Sequence, residues 1–187
     1  GIPMDQACWT TAVTIFLALL GYLATYINNL RLSQRKDKLD RVNRQLSELY
    51  GPMFSLTHAS NIAWQGFRSK HRPNQAYFDG TELPEADLAA WRLWMTTVFM
   101  PINTRLYELI LAKSDLLIEI KMPHSLLMFC AHVAAYQAVL EQWKNMDYSE
   151  HLSVIEYPRE IEQYSQESYA KLKAMQARLL GEKNHNK

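Results

Sequence analysis

His58, Asn61, Gln65 and Arg68 follow one another at spacings of three, four and three residues, so on a helix they form a single polar file. An imidazole, two carboxamides and a guanidinium on one face supply an acid–base group, hydrogen-bond donors and a fixed positive charge. That set can bind an anion or polarise a substrate. The same pattern is also what the solvated side of an amphipathic helix looks like. Trp91 and Trp94, three residues apart and flanking Arg92, can frame an apolar ligand pocket with a cationic edge. Aromatic residues at helical spacing more commonly fill a core. His58, Asn61, Arg68, Trp91 and Trp94 are therefore the candidate ligand-pocket residues.

No motif in the chain specifies catalysis. His124, His132 and His151 are isolated from one another, and Cys130 lies two residues from His132, which on a helix points the two side chains to different sides. Cys130 reads as core. Helical metal centres of the di-iron type need repeated Glu-x-x-His pairs projecting inward, and none of the expected helices carries one. His-Glu-x-x-His, a phosphate-binding glycine loop and Gly-x-Ser-x-Gly are all missing. Catalytic residues, a cofactor and a metal site are not expected. With 20 Lys and Arg against 19 Asp and Glu, the charge is too balanced for a general nucleic-acid binder.

The elements that would position these residues begin with a membrane anchor. Residues 6–30 hold no ionisable side chain apart from Cys8, Tyr22 and Tyr26, and the apolar stretch from Trp9 to Ile27 has aromatic residues toward both ends. As a helix rising about 1.5 Å per residue, such a segment crosses a hydrocarbon layer of about 30 Å. Arg31, Arg35, Lys36, Lys38, Arg41 and Arg44 follow at once, against only Asp37 and Asp40. The positive-inside rule makes them the inner flank and anionic lipid their partner. The expected layout is a short outer N-terminus over 1–8, a transmembrane helix over 9–30, a cytoplasmic domain over 31–181 and a disordered tail over 182–187. That places the chain in an inner (plasma) membrane as a single-pass protein. Cys8 and Cys130 then lie on opposite sides and form no disulfide framework.

Beyond the anchor, apolar residues recur every three or four positions and alternating runs are scarce, so the domain is expected to be all-α. A first helix runs out of the membrane to Gly51-Pro52, where the missing amide donor predicts a kink or break. A second helical stretch follows, MFSLTHASNIAWQGFR. Pro73, Asp79-Gly80 and Pro84 mark a long loop, in which Tyr77-Phe78 are expected to dock onto the domain. Leu88, Trp91, Met95, Val98, Ile102, Leu106 and Leu109 mark the apolar stripe of a long helix kinked at Pro101. Pro123 and Pro158 precede two further helices, and Gly181 ends the last. Four long amphipathic helices bury their stripes most simply as a four-helix-bundle-like domain whose first helix is fused to the anchor.

A second pattern concerns association. Thr14, Ala18, Gly21 and Thr25 line one side of the anchor, and Leu32, Leu39, Val42 and Leu46 continue the line beyond it. Small residues permit close backbone approach in lipid, and leucines bury apolar surface in water, so a parallel homo-oligomer with coiled-coil character would suit both halves of this seam. A bundle would equally use the leucines for its own core.

The stretch LDRVNRQLSELYGPMFSLTHASNIAWQGFR resembles the juxtamembrane region of uncharacterised bacterial single-pass proteins that carry Leu-Tyr-Gly-Pro, here Leu49 to Pro52, after an anchor and a charged helix. The resemblance implies a bacterial inner-membrane setting and supplies no activity. The leading expectation is a non-enzymatic interaction or scaffold subunit of a homo-oligomer or larger membrane complex. One alternative is a sensor holding a small ligand between its helices near Trp91 and Trp94. Another is an enzyme acting on a membrane substrate with His58 or His132 as acid–base group.

Overall fold

A computed structural model describes residues 4–181, and every regular element among the described residues is helical. The first rod consists of α1 (Met4–Gln45), a π-helical turn (Leu46–Tyr50) and α2 (Gly51–His71), continuous over 68 residues. The second consists of α3 (Glu85–Trp94), a π turn (Met95–Phe99) and α4 (Met100–Ala112). A short 3₁₀ turn (Ser114–Leu116) leads toward α5 (His124–Lys144), and α6 (Glu160–Leu180) closes the chain. Gly181, at φ 81°, is the left-handed residue that stops α6.

Of the kink or break expected at Gly51-Pro52, the break does not occur. Both prolines expected to interrupt helices, Pro52 and Pro101, sit one residue past a π turn, and the residue between donates its amide five positions back: Gly51 to Leu46, Met100 to Met95. A proline ring crowds the carbonyl four residues before it and offers that carbonyl no donor. Widening the preceding turn by one residue relieves the conflict without ending the helix. Gly51 itself has no room for a side chain, since a Cβ there would collide with the Leu46 carbonyl oxygen; Met100, at the equivalent position of the second turn, carries one.

The extra residue also resets helical phase by about 100°. On the second rod the core-facing residues are Trp91 before the turn, Met95 and Phe99 at its two ends, and Met100, Asn103, Leu106 and Ile110 beyond it, while Val98, Ile102 and Leu109 are only half-buried. The stripe read from sequence on this rod thus runs one residue early at Val98, Ile102 and Leu109, though not at Leu106.

In the core, α2 packs against α4 and α6, α4 against α5, and α5 against α6, while the end of α1 lies against α6 and the 3₁₀ turn. Leu49, Tyr50, Met53, Phe67, Leu126, Phe129 and Ile161 are fully buried. Burial of each such side chain contributes about 1.5–3 kcal/mol. Tyr50, on the first π turn, joins a polar chain: the Ile118 amide donates to its hydroxyl (3.0 Å), the Tyr50 and Tyr164 hydroxyls are paired (2.9 Å), and Tyr164 donates to Glu119 (2.9 Å). Burial pushes both phenols above their ordinary pKa. The Gln45 amide donates to the Leu116 carbonyl at 2.9 Å, tying the same turn to the connector after α4.

The N-terminal part of α1 stands apart from all this. Every residue from 4 to 38 is exposed, and its apolar window has a mean hydropathy of 1.8 with none of it buried. Thr11, Thr14 and Thr25 return their hydroxyl protons to carbonyls four residues back, at 2.8–2.9 Å. Their polar atoms are thereby partly satisfied without solvent. This long apolar helix is compatible with a transmembrane anchor. Where it meets the domain, Arg35 Nε donates to the Leu179 carbonyl (2.7 Å) and Gln176 to Asn43 (2.7 Å), so the end of α6 is fastened beside the basic flank.

Candidate functional site

A half-open cavity of about 540 Å³ lies inside the helical domain. Its walls follow from helix phase. On α2, Thr57, Asn61, Trp64 and Arg68 recur at four, three and four residues; the second rod offers Trp91, Met95, Phe99 and Asn103 at four-residue steps; α5 adds His132 and Tyr136. The connectors cover the rest, with Tyr77 and Phe78 from the loop after α2 and residues 152–157 from the loop before α6.

The α5–α6 connector is pinned over the cavity by aromatic donors. Trp91 Nε1 and the Tyr136 hydroxyl both donate to the His151 carbonyl, at 2.9 and 2.7 Å, and Trp143 Nε1 donates to that of Glu150 at 2.8 Å. Arg92 stacks on Tyr148 with its guanidinium carbon 4.1 Å from the ring centroid and pairs with Glu85. An indole or phenol that is buried usually finds a polar partner in this way. On the opposite side Arg72 donates to the Tyr77 carbonyl at 2.6 Å and pairs with Asp79, fixing the loop that carries Tyr77 and Phe78. Tyr77 and Phe78 do dock onto the domain, against the ring of Trp91.

Inside, most polar groups are already engaged. Asn61 donates to Glu162 at 2.7 Å, and the Thr57 and Ser165 hydroxyls are paired at 2.8 Å. Three groups are not fully engaged. Asn103 is 4% exposed, lines the cavity, and its carboxamide has no hydrogen-bond partner among the described residues. His132 is 6% exposed; its Nδ1 lies 2.6 Å from the Ile155 carbonyl, which fixes Nδ1 as the protonated nitrogen and leaves Nε2 as an acceptor with no partner among the described residues. Burial holds the imidazole below its ordinary pKa of 6.5, against the opposing pull of the Ile155 carbonyl, so the ring is neutral near pH 7. Burial, then the charge of Glu162, raises Tyr157 to about 12. At Arg68 the Nε is buried without a partner while one terminal nitrogen donates to the Gln75 carbonyl at 2.9 Å.

Of the five candidate residues, the structure brings Asn61, Arg68 and Trp91 to one cavity. His58 is exposed and stacks on Phe54, with ring centroids 5.6 Å apart, away from the cavity. Trp94 packs against Phe67 (5.2 Å) and Phe99 (5.9 Å) as part of the core. Both fall outside because positions 58 and 94 are out of phase with the cavity-facing files on their helices. Sequence reasoning missed Trp64, Asn103 and His132 as pocket residues. Trp64 falls in the same periodic file as Asn61 and Arg68, so the pattern alone could have found it. Asn103 is masked by the π turn, which moves the core face from Ile102 onto it.

The seam residues divide as well. Val42 and Leu46 are buried within their own chain, which removes them from any surface open to a second copy; Leu39 is half-buried, and Thr14, Ala18, Gly21, Thr25 and Leu32 are exposed. Of the basic flank, Arg35 is bonded to α6, Arg44 pairs with Glu48 at 3.1 Å, and Arg31, Lys36, Lys38 and Arg41 are exposed. Among the described residues no three His, Cys, Asp or Glu side chains converge as metal ligands. Comparison with protein-family models, with curated proteins and with solved structures found no match.

Proposed function

We propose that this chain is a membrane-anchored helical domain that binds a small ligand in the cavity between its helices, and thus acts as a sensor or carrier at the inner face of the membrane. The observation that carries the reading is a cavity of about 540 Å³ in which a nearly buried Asn103 and His132 present unpaired polar atoms among aromatic walls. Ligand sites have that character: apolar and concave, with a few placed polar groups. The packing of α2, α4, α5 and α6, each against the next, supports a four-helix-bundle-like domain around the cavity. The apolar window of α1, none of it buried, supports a span that lipid covers, and the basic residues beyond it support a cytoplasmic domain. The cavity-lining α2 continues from the anchor without a break, so the wall of the cavity and the proposed span belong to one rod.

The full chain, purified in mild detergent, unfolded and extracted, is expected to yield a small molecule by mass spectrometry. A variant with the cavity filled by Asn103→Phe is expected to lack it. No compound enriched over that variant would refute the reading.

Association through the anchor is a second reading, favoured by Gly21, around which a Cβ would meet nothing within 4 Å. Gly21→Leu therefore leaves the single chain undisturbed and reduces crosslinking only if copies meet there. Unchanged crosslinking removes this reading.

A further inference from the structure

We propose that the deep part of the cavity reads a flat, uncharged ring edge bearing a hydrogen-bond donor beside an acceptor, as in a purine or a lactam. This rests on the ligand-binding reading above and specifies its chemistry.

Asn103 and His132, both nearly buried, set what a ligand must supply. The Asn103 carboxamide offers an acceptor and a donor side by side in one plane, which is the complement of a ring edge carrying the same pair, as when asparagine reads adenine. His132 is committed at Nδ1 to the Ile155 carbonyl (2.6 Å), so its Nε2 lone pair asks for a donor from the ligand and repels an anion. A purely apolar occupant would leave both groups dry in a low-dielectric site, which is the costliest way to bury them. Aromatic rings line the same cavity: Trp64 lies 6.0 Å from both Trp91 and Phe99, edge to face. A planar ring can meet such walls face-on or edge-on.

Charge does not favour an ion. The charged lining groups are Arg68 and Arg159 against Glu156 and Glu162, which balance in sign, and Glu162 is held by Asn61. Of the three lining groups with unpaired atoms, two are an amide and a neutral imidazole; the third, Arg68, has its Nε buried and one terminal nitrogen committed to the Gln75 carbonyl. A fixed cation would face Arg68, and a carboxylate would face the bare lone pair of His132.

The test is a titration of the full chain in detergent micelles, following tryptophan fluorescence and ligand-observed NMR, with four probes: adenine, 2-pyridone, benzoate and phenyltrimethylammonium. Adenine or 2-pyridone is expected to bind at least tenfold more tightly than either ion. Asn103→Leu and His132→Phe, each checked for unchanged helicity, are expected to weaken that binding at least tenfold. If benzoate or phenyltrimethylammonium binds as tightly or more tightly and the same variants weaken it, the ring-edge assignment falls while ligand binding stands. If adenine and 2-pyridone bind the variants as well as the parent, or no probe binds, the assignment also falls. The preference among probes is read on the parent protein, so a variant that fails to fold does not rescue it. Recovery of a co-purifying molecule, tested separately above, decides whether the broader reading survives.

Discussion

Gly51→Ala should destabilise the protein, whereas Gly66→Ala on the same rod should stabilise it. In a helix interior alanine is ordinarily favoured over glycine by about 0.5–1 kcal/mol. Gly66 is exposed on α2 with nothing within 4 Å of an added Cβ, so that gain is expected in full. At Gly51 the added methyl meets the Leu46 carbonyl oxygen, the same atom that accepts the Gly51 amide across the π turn. Because backbone cannot swing aside as a side chain does, the strain is of the overpacking kind, about 1–3 kcal/mol. The net effect is a loss of ~1 kcal/mol or more, which sets the two variants about 2 kcal/mol apart. Escape by collapsing the π turn to a regular helix costs more, since rotating α1 by about 100° would withdraw Val42 and Leu46 from the core at roughly 1.5–3 kcal/mol each. Thermal unfolding of the full chain in micelles, followed by circular dichroism, reads the difference as about 4–8 °C in Tm for a chain of this size. A Gly51→Ala protein at least as stable as Gly66→Ala would refute the collision with the Leu46 carbonyl.

Three further outcomes follow from the same contacts. Trp91→Phe keeps the ring but loses the indole bond to His151, so it should cost ~1 kcal/mol and raise amide hydrogen exchange across residues 145–159; unchanged exchange there would show that the connector is not pinned by it. Arg35→Gln should loosen the last turn of α6 by about 0.3–1 kcal/mol, seen as faster exchange near Leu179 with the cavity walls unaffected. Stability should decline as pH falls below 6.5, because the unfolded chain takes up a proton that the buried His132 refuses, with a limiting slope of about 1.4 kcal/mol per pH unit. Glu48, Asp79 and Asp147, whose pKa values are lowered by hydrogen-bonded partners, add their own losses only at more acidic pH. Urea titrations from pH 7 to pH 5 should therefore show a decline in the parent that His132→Gln flattens.

The helices were legible because three- and four-residue spacing survives in every rod, and the anchor because a run without charge has few other uses in a helix. Gly51-Pro52 and Met100-Pro101 were legible as places where a helix is in difficulty, but the remedy was not: whether the chain kinks, stops or widens by one residue depends on what packs around it. That ambiguity propagated. Regular spacing assigned Val98 and Ile102 to the core, whereas the inserted residue hands those roles to Phe99 and Asn103, and with Asn103 goes the most telling polar group of the cavity. His132 was visible as a histidine on an apolar face, yet its significance comes from the Ile155 carbonyl, on a connector whose path no local pattern encodes. Val42 and Leu46 carry the same spacing whether they face another copy or α6, so only the fold separates the two uses.

On the proposed reading, the bare apolar length of α1 lies in lipid with the helical domain beyond its basic flank. Protease protection of membrane vesicles in both orientations checks this. The domain of about 150 residues is expected to resist external protease in right-side-out vesicles and to be digested in inside-out ones, leaving a membrane-embedded fragment that contains Trp9–Ile27. Digestion of the domain in right-side-out vesicles, or its appearance in the soluble fraction without cleavage, would contradict it.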